Sequence, residues 1–148
     1  MRFIEGNFNK DTGVSVVSVE HMGVVFYGIA RLHPEDQAYA STYTGCNFAE
    51  MRATIKALKY EKQYRVYHLK EWEKFLHGCL DSKKFNKESD TAKVVFRQYN
   101  RQKKQITDID EEIKDIQNQL NELIKAKNKL IESRKKITED ISKEVNLP

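Results

Sequence analysis

Apolar and polar positions alternate along the first thirty or so residues, and a three-to-four-residue rhythm governs the rest. Arg2–Asn9 alternates around Phe3, Ile4 and Phe8. Asn9-Lys10-Asp11-Thr12-Gly13 then supplies turn chemistry, with Gly13 able to take a positive φ. Val14–Val19 alternates again as Val-Ser-Val-Val-Ser-Val, so the two runs predict a β-hairpin. His21-Met22-Gly23 predicts a second turn. Val24–Leu32, rich in Val, Phe, Tyr and Ile, predicts a third strand. A three-stranded meander needs a helix or another subunit against its apolar face to be stable.

After the strands the period changes. Pro34 after His33 suits the first position of a helix, and Glu35 and Asp36 suit its positive end. This helix is expected to be short and to stop near Thr44-Gly45. Asn47-Phe48-Ala49-Glu50 has capping-box spacing, so a long helix is expected to start there. Met51, Ile55, Leu58, Lys62, Arg65, Leu69, Trp72, Leu76 and Cys79 follow a 4-3-4-3 spacing, a seam with two polar interruptions. Phe48, Tyr60, Tyr64, Tyr67 and Phe75 lie beside it. Residues 81–89 break the pattern. Ser89 then suits the N-cap of a second long helix, with Asp90 at its first position, running to about Val145.

In that second helix Tyr99, Ile106, Ile109, Ile113, Ile116, Leu120, Leu123, Leu130, Ile137 and Ile141 keep a heptad register, with Lys127 and Arg134 in the seam. At 1.5 Å per residue it spans roughly 80 Å and outruns the first by about twenty residues. The seam beyond about residue 123 is therefore expected to face water, and an apolar stripe of that length is normally a partner surface. The expected class is α+β: an antiparallel β-meander followed by a long antiparallel helical hairpin, coiled-coil-like and oligomeric. Residues 1–45 would form the sheet module with its short helix, and residues 46–148 the hairpin, as one structural unit.

Composition narrows the function. Charged residues make up 32% of the chain, which suits long solvated helices. Residues 1–45 hold three Lys/Arg against five Asp/Glu, and residues 46–148 hold twenty-three against seventeen. That mild positive excess suits small anionic ligands better than duplex DNA, which usually meets a dense basic face. Cys46 and Cys79 have no CxxC spacing, so neither a disulfide framework nor a zinc site is expected, and two free thiols fit a reducing cytosol. The first residues lack the apolar run of a signal peptide, and no stretch is long enough to span a membrane.

Catalytic groupings fare poorly. His33 beside Glu35 and Asp36 could be a base or a ligand, but His-Pro opening a helix reads more simply as a turn, with the acids serving the dipole. Cys46 beside Gly45 has no His near it in sequence, and glycines are too sparse for a phosphate loop. One cluster is more suggestive. Phe96-Arg97-Gln98-Tyr99-Asn100-Arg101 places Arg97 and Arg101 four residues apart, on one helix face, where two guanidiniums can grip phosphate oxygens. Asn100 could read a base or ribose edge and Phe96 could stack. Lys83, Lys84 and the helix start at Ser89–Thr91 add positive potential. The plainer reading puts Phe96 and Tyr99 in the core and the arginines beside acids.

The layout Phe8-Asn9-Lys10-Asp11-Thr12-Gly13, then Gly28, His33-Pro34-Glu35-Asp36, Ala40-Ser41, Gly45-Cys46, Ala49-Glu50, Arg52-Ala53 and Ile55-Lys56-Ala57-Leu58, resembles small phage proteins. In particular it resembles the first-described Thoeris anti-defence sponge family. Ala92-Lys93, Arg97-Gln98 and the long Lys/Glu/Ile helix extend the likeness over nearly the whole chain. The resemblance implies an N-terminal antiparallel sheet, with C-terminal helices assembling dimers into a hexamer, a trimer of dimers. It implies sequestration of glycocyclic ADP-ribose signals without cleavage, in the cytoplasm of an infected bacterium, with no cofactor, metal or catalytic residue. Some members also hold cyclic trinucleotides at separate sites, which would blunt CBASS immunity as well. The family binds through aromatics, Arg and Asn at subunit junctions. Residues of that chemistry here are Phe96, Arg97, Asn100 and Arg101, with Tyr27, His33 and Arg52 as further candidates.

Two other readings compete. In one, the heptads are themselves the function: a scaffolding coiled-coil oligomer with no small-molecule ligand. In the other, the basic helical region binds nucleic acid. Low basic density and the lack of a compact recognition helix argue against that reading, and neither a membrane nor a duplex nucleic-acid partner is expected.

Overall fold

The computed structural model describes residues 1–33, 42–82 and 86–145, leaving aside the side chains of residues 42 and 43. Three strands are followed by two long helices: β1 Arg2–Asn9, β2 Val14–His21, β3 Val24–Arg31, α1 Thr42–Asp81 and α2 Asp90–Val145. The expected helix start at Pro34, Glu35 and Asp36, the loop lysines Lys83 and Lys84, and the terminal residues 146–148 lie outside the described residues. The chain divides into two compact units, Met1–Ala57 with Asp115–Pro148, and Leu58–Lys114.

In the first unit the strands form an antiparallel sheet in the order β1-β2-β3. Turn chemistry sets the register. Asn9 accepts the backbone N–H groups of Asp11 and Thr12 through its side chain, at 2.9 and 3.3 Å. Gly13 closes that turn at φ 69 by donating to the Asn9 carbonyl at 2.8 Å. Met22 and Gly23 take φ of 54 and 75, the paired positive values of the tight turn whose twist matches the flanking strands. Val17 then stands opposite Gly28, and Ser15 opposite Ala30, so these four share one face. That face is buried beneath the first four turns of α1.

The sheet and α1 meet at unusually short range. A Cβ placed on Gly28 would overlap the Ala49 carbonyl oxygen and lie 2.6 Å from the Ala53 nitrogen. Only glycine fits there, and only small residues fit opposite: Ala49, Ala53 and Ala57 are wholly buried. Gly45 has the same role a turn earlier, since a Cβ on it would collide with the Ser15 hydroxyl. This corrects the expected boundary. Thr44-Gly45 does not end a short helix, and Asn47 does not start a long one; α1 is already helical from Thr42. Its glycine is a packing residue and not a stop. Arg52 and Lys56, four residues apart, reach the edge of β3 and donate to the Ile29 and Tyr27 carbonyls at 2.7 and 2.8 Å.

In the second unit, the expected α1 seam holds: Leu58 and Leu76 are buried, and Leu69, Trp72 and Cys79 are half-buried. Its two polar interruptions are matched across to α2. Lys62 pairs with Asp110 at 2.6 Å, and Arg65 is shared between Glu61 and Gln105. Ser89 caps α2, its hydroxyl accepting the Ala92 N–H at 3.2 Å, as its sequence position predicts.

The α2 register departs from strict heptads. Ile109, Leu120 and Ile131 are buried and recur every eleven residues, whereas the expected Leu123 and Leu130 are 43% and 51% exposed. A straight helix at 3.6 residues per turn drifts about 20° per heptad, so after three heptads the buried position moves on by one residue, from Leu130 to Ile131. Leu123, Leu130, Ile137 and Ile141 face outward, while Ile131 shows that α2 beyond residue 123 is still covered on its other side.

The close approach at Gly28 gives a stability test. Gly28→Ala should cost about 3 kcal/mol or more in urea unfolding, because main chain must move. Gly78→Ala, at a helical glycine with open space around it, should gain about 1 kcal/mol. Equal effects of the two substitutions would show that the contact does not govern stability.

Candidate functional site

Polar side chains gather most densely in the second unit, in a groove between α1 and α2 of about 420 Å³. Tyr64, Arg65, His68 and Trp72 form the α1 wall, and Gln98, Arg101, Gln102 and Gln105 the α2 wall. The spacings explain why these residues meet. Positions 64, 68 and 72 are successive helical turns, and 98, 101, 102 and 105 are one face of α2.

The two guanidiniums in the groove differ. Arg65 is neutralised: its side chain donates to Glu61 at 2.9 and 3.1 Å and to Gln105 at 2.8 Å. Arg101 is exposed and makes no hydrogen bond or ion pair among the described residues. It is therefore the group that can receive an anion. The rings are fixed by edge contacts. Tyr64 and His68 lie 4.3 Å apart between centroids at 60°, and Trp72 meets Phe75 at 6.0 Å and 89°. Such contacts orient a ring while leaving a face open for stacking.

The seven candidates read from the sequence separate into two sets. Phe96, Arg97, Asn100 and Arg101 lie on α2 in the second unit, and of these only Arg101 lines the groove. Arg97 is exposed one turn before it. Phe96 and Asn100 point to the other flank of the seam, Asn100 being about 100° from Arg101 around the helix. Tyr27, His33 and Arg52 lie in the first unit. Tyr27 is 56% exposed on the sheet face away from α1. His33 borders a broad, shallow hollow of about 1100 Å³ at the turn end of that face, with Asn7, Asn9, Lys10 and Arg31. Arg52 is engaged with the Ile29 carbonyl.

The groove residues the sequence reading missed are Tyr64, His68, Trp72, Gln98, Gln102 and Gln105. For the α1 wall the signal was a ring at every fourth residue from Tyr64 to Trp72. Tyr99, beside them, donates its hydroxyl to Glu73 at 2.9 Å. That hydrogen bond, with burial and the carboxylate's charge, holds the phenol above its ordinary value of 10.0. Among the described residues no group of three His, Cys, Asp or Glu could hold a metal ion, and no helix is long and apolar enough to cross a membrane. Cys46 and Cys79 are free thiols.

Comparisons with protein-family models, curated proteins and solved structures find no match to this chain.

The Tyr99 contact has a defined pH signature. Folding favours the protonated phenol, so its contribution to stability is full below pH 10.0 and is lost as pH rises through the raised folded value. In a phenolate absorbance titration, Tyr99→Phe should remove a late-titrating component, and Glu73→Gln should move that component to lower pH. No change in either variant would show that the hydrogen bond is not held in solution.

Proposed function

We propose that this protein is a non-enzymatic nucleotide sponge. It binds a cyclic ADP-ribose-type immune signal, the glycocyclic kind, and holds it uncleaved, blocking Thoeris immunity in the cytoplasm of an infected bacterium. Cyclic trinucleotides are a second ligand class on this reading, extending the block to CBASS. The observation that carries it is the unneutralised Arg101 beside an aromatic wall and a row of glutamines. A cyclised ADP-ribose offers an adenine face, ribose edges and a pyrophosphate. Trp72 or Tyr64 suits the first, Gln98, Gln102 and Gln105 suit the second, and Arg101 suits the third. The groove's size falls within the roughly 300–1,000 Å³ usual for ligand pockets.

Tight retention needs more enclosure than an open groove gives. Association of copies, as dimers within a hexamer, would supply it, and the outward stripe from Leu123 to Ile141 is an apolar surface available for that purpose. The same stripe supports a second reading, a coiled-coil scaffold with no small-molecule ligand.

A binding-and-release assay separates the two. Glycocyclic ADP-ribose mixed with the protein should leave solution and return intact after heat denaturation. Arg101→Ala and Trp72→Ala should each weaken retention about tenfold or more. Ligand that stays free with the unaltered protein favours the scaffold, and ligand that returns altered indicates an enzyme. For the stripe, Leu130→Glu with Ile137→Glu should lower the sedimenting mass; unchanged mass would remove it from the assembly.

A further inference from the structure

Beyond the groove, α1 carries more rings than a single dinucleotide can use. Tyr60, Tyr64, Tyr67, His68, Trp72 and Phe75 fall on one side of α1 over sixteen residues, about 22 Å of helix. Tyr64, Tyr67 and Phe75 are 48%, 62% and 57% exposed, so these rings do not serve a core. They are held by edge contacts, Tyr67 against His68 at 5.4 Å and 84°, Trp72 against Phe75 at 6.0 Å and 89°.

The opposing helix of the unit carries a run of cations. Thr91–Thr107 holds Lys93, Arg97, Arg101, Lys103 and Lys104 and not one Asp or Glu. Arg97, Arg101 and Lys104 recur at four and three residues along α2, and Arg101 lines the groove with Tyr64, His68 and Trp72. None of the three makes an ion pair among the described residues. Nearby carboxylates of α1 are already engaged: Glu61 with Arg65, Glu71 with Lys74, Glu73 with Tyr99.

Rings in one row and cations in a parallel row match a strand whose bases lie on one side and phosphates on the other. We infer that this face of Leu58–Lys114 binds single-stranded nucleic acid. A duplex is a poor fit, because its base faces are stacked on one another and out of reach of the rings. A second copy of this chain is a poorer one: a two-fold pairing of the face with itself would bring two unneutralised cation rows together. The inference goes beyond the sponge reading and does not depend on it.

The test uses the full chain and a fluorescein-labelled oligothymidylate or oligouridylate of about twelve nucleotides, within the usual span of such sites. Anisotropy should report binding, with quenching of Trp72 fluorescence. Log affinity should fall with log salt at a slope of about −2, for three cations at ~0.7 each. A duplex of equal length should bind at least tenfold more weakly. Tyr67→Ala and Phe75→Ala, both outside the groove, should each lower oligonucleotide affinity about tenfold while leaving glycocyclic ADP-ribose retention unchanged. Lys104→Gln, a surface change that leaves the fold intact, should reduce the salt slope by about 0.7. The inference is overturned by any of three results. These are no anisotropy change at low salt, equal affinity for the duplex, or ring variants that alter sedimenting mass and not oligonucleotide binding.

Discussion

At Gly28 nothing but hydrogen stands between β3 and the backbone of α1, and much of the first unit follows from that close approach. A sheet and a helix usually meet through interleaved side chains. Here the helix lies almost on the strand, so its contacting stripe must be Ala49, Ala53 and Ala57, and Gly45 must clear Ser15. The same proximity lets short reaches do structural work. Arg52 and Lys56 touch the carbonyls of Ile29 and Tyr27 only because the helix axis is so near the strand. They satisfy acceptors on an edge that would otherwise be open to pairing with another strand. Arg52, a binding candidate in the sequence, is thus committed to the fold, and Lys56 with it.

The strands and their turns were legible because period-two alternation and the Asn-to-Gly turn residues are local signals. The Ser89 cap and the α1 seam were legible for the same reason. Two features were not. Gly45 reads as a stop, since glycine is a poor helix former, and only the neighbouring sheet turns it into a contact residue. Ile131 reads as a polar-side residue of a heptad whose seam should fall on Leu130. The helix keeps its own period and buries Ile131 to 3% exposure. In both cases a tertiary neighbour or the geometry of an unsupercoiled helix outweighed a pattern that was correct locally.

The site was half legible. Reading along one helix picked out Arg97 and Arg101, of which Arg101 lines the groove. It could not pair them with residues thirty or so positions earlier. Tyr64 looked like widening of a hydrophobic seam and Trp72 like part of it, and nothing local distinguishes a ring that will be covered from one that will not. Phe96 and Asn100 have suitable chemistry on the wrong flank. Arg65 shows the converse: it has the chemistry and the flank, and its charge is taken up by Glu61. The distinction between a free and a committed guanidinium exists only once both helices are in place.

The division of the chain carries a consequence for how it folds. Leu58–Lys114 is contiguous, and its two helical segments need close only the short connection around residues 82–89. The sheet unit must instead recruit Asp115–Pro148 across more than half the chain, because Lys127 sits over the Phe48 ring at 5.6 Å and Leu120 and Ile131 are buried there. Loop closure costs more entropy for the longer connection, and low-separation contacts form sooner. During synthesis the contacts of β3 with α1, some twenty residues apart, are therefore the first that can close, those within Leu58–Lys114 follow, and the sheet unit gains its full cover last. Pulse-labelled hydrogen exchange would register that order as late protection within residues 115–145.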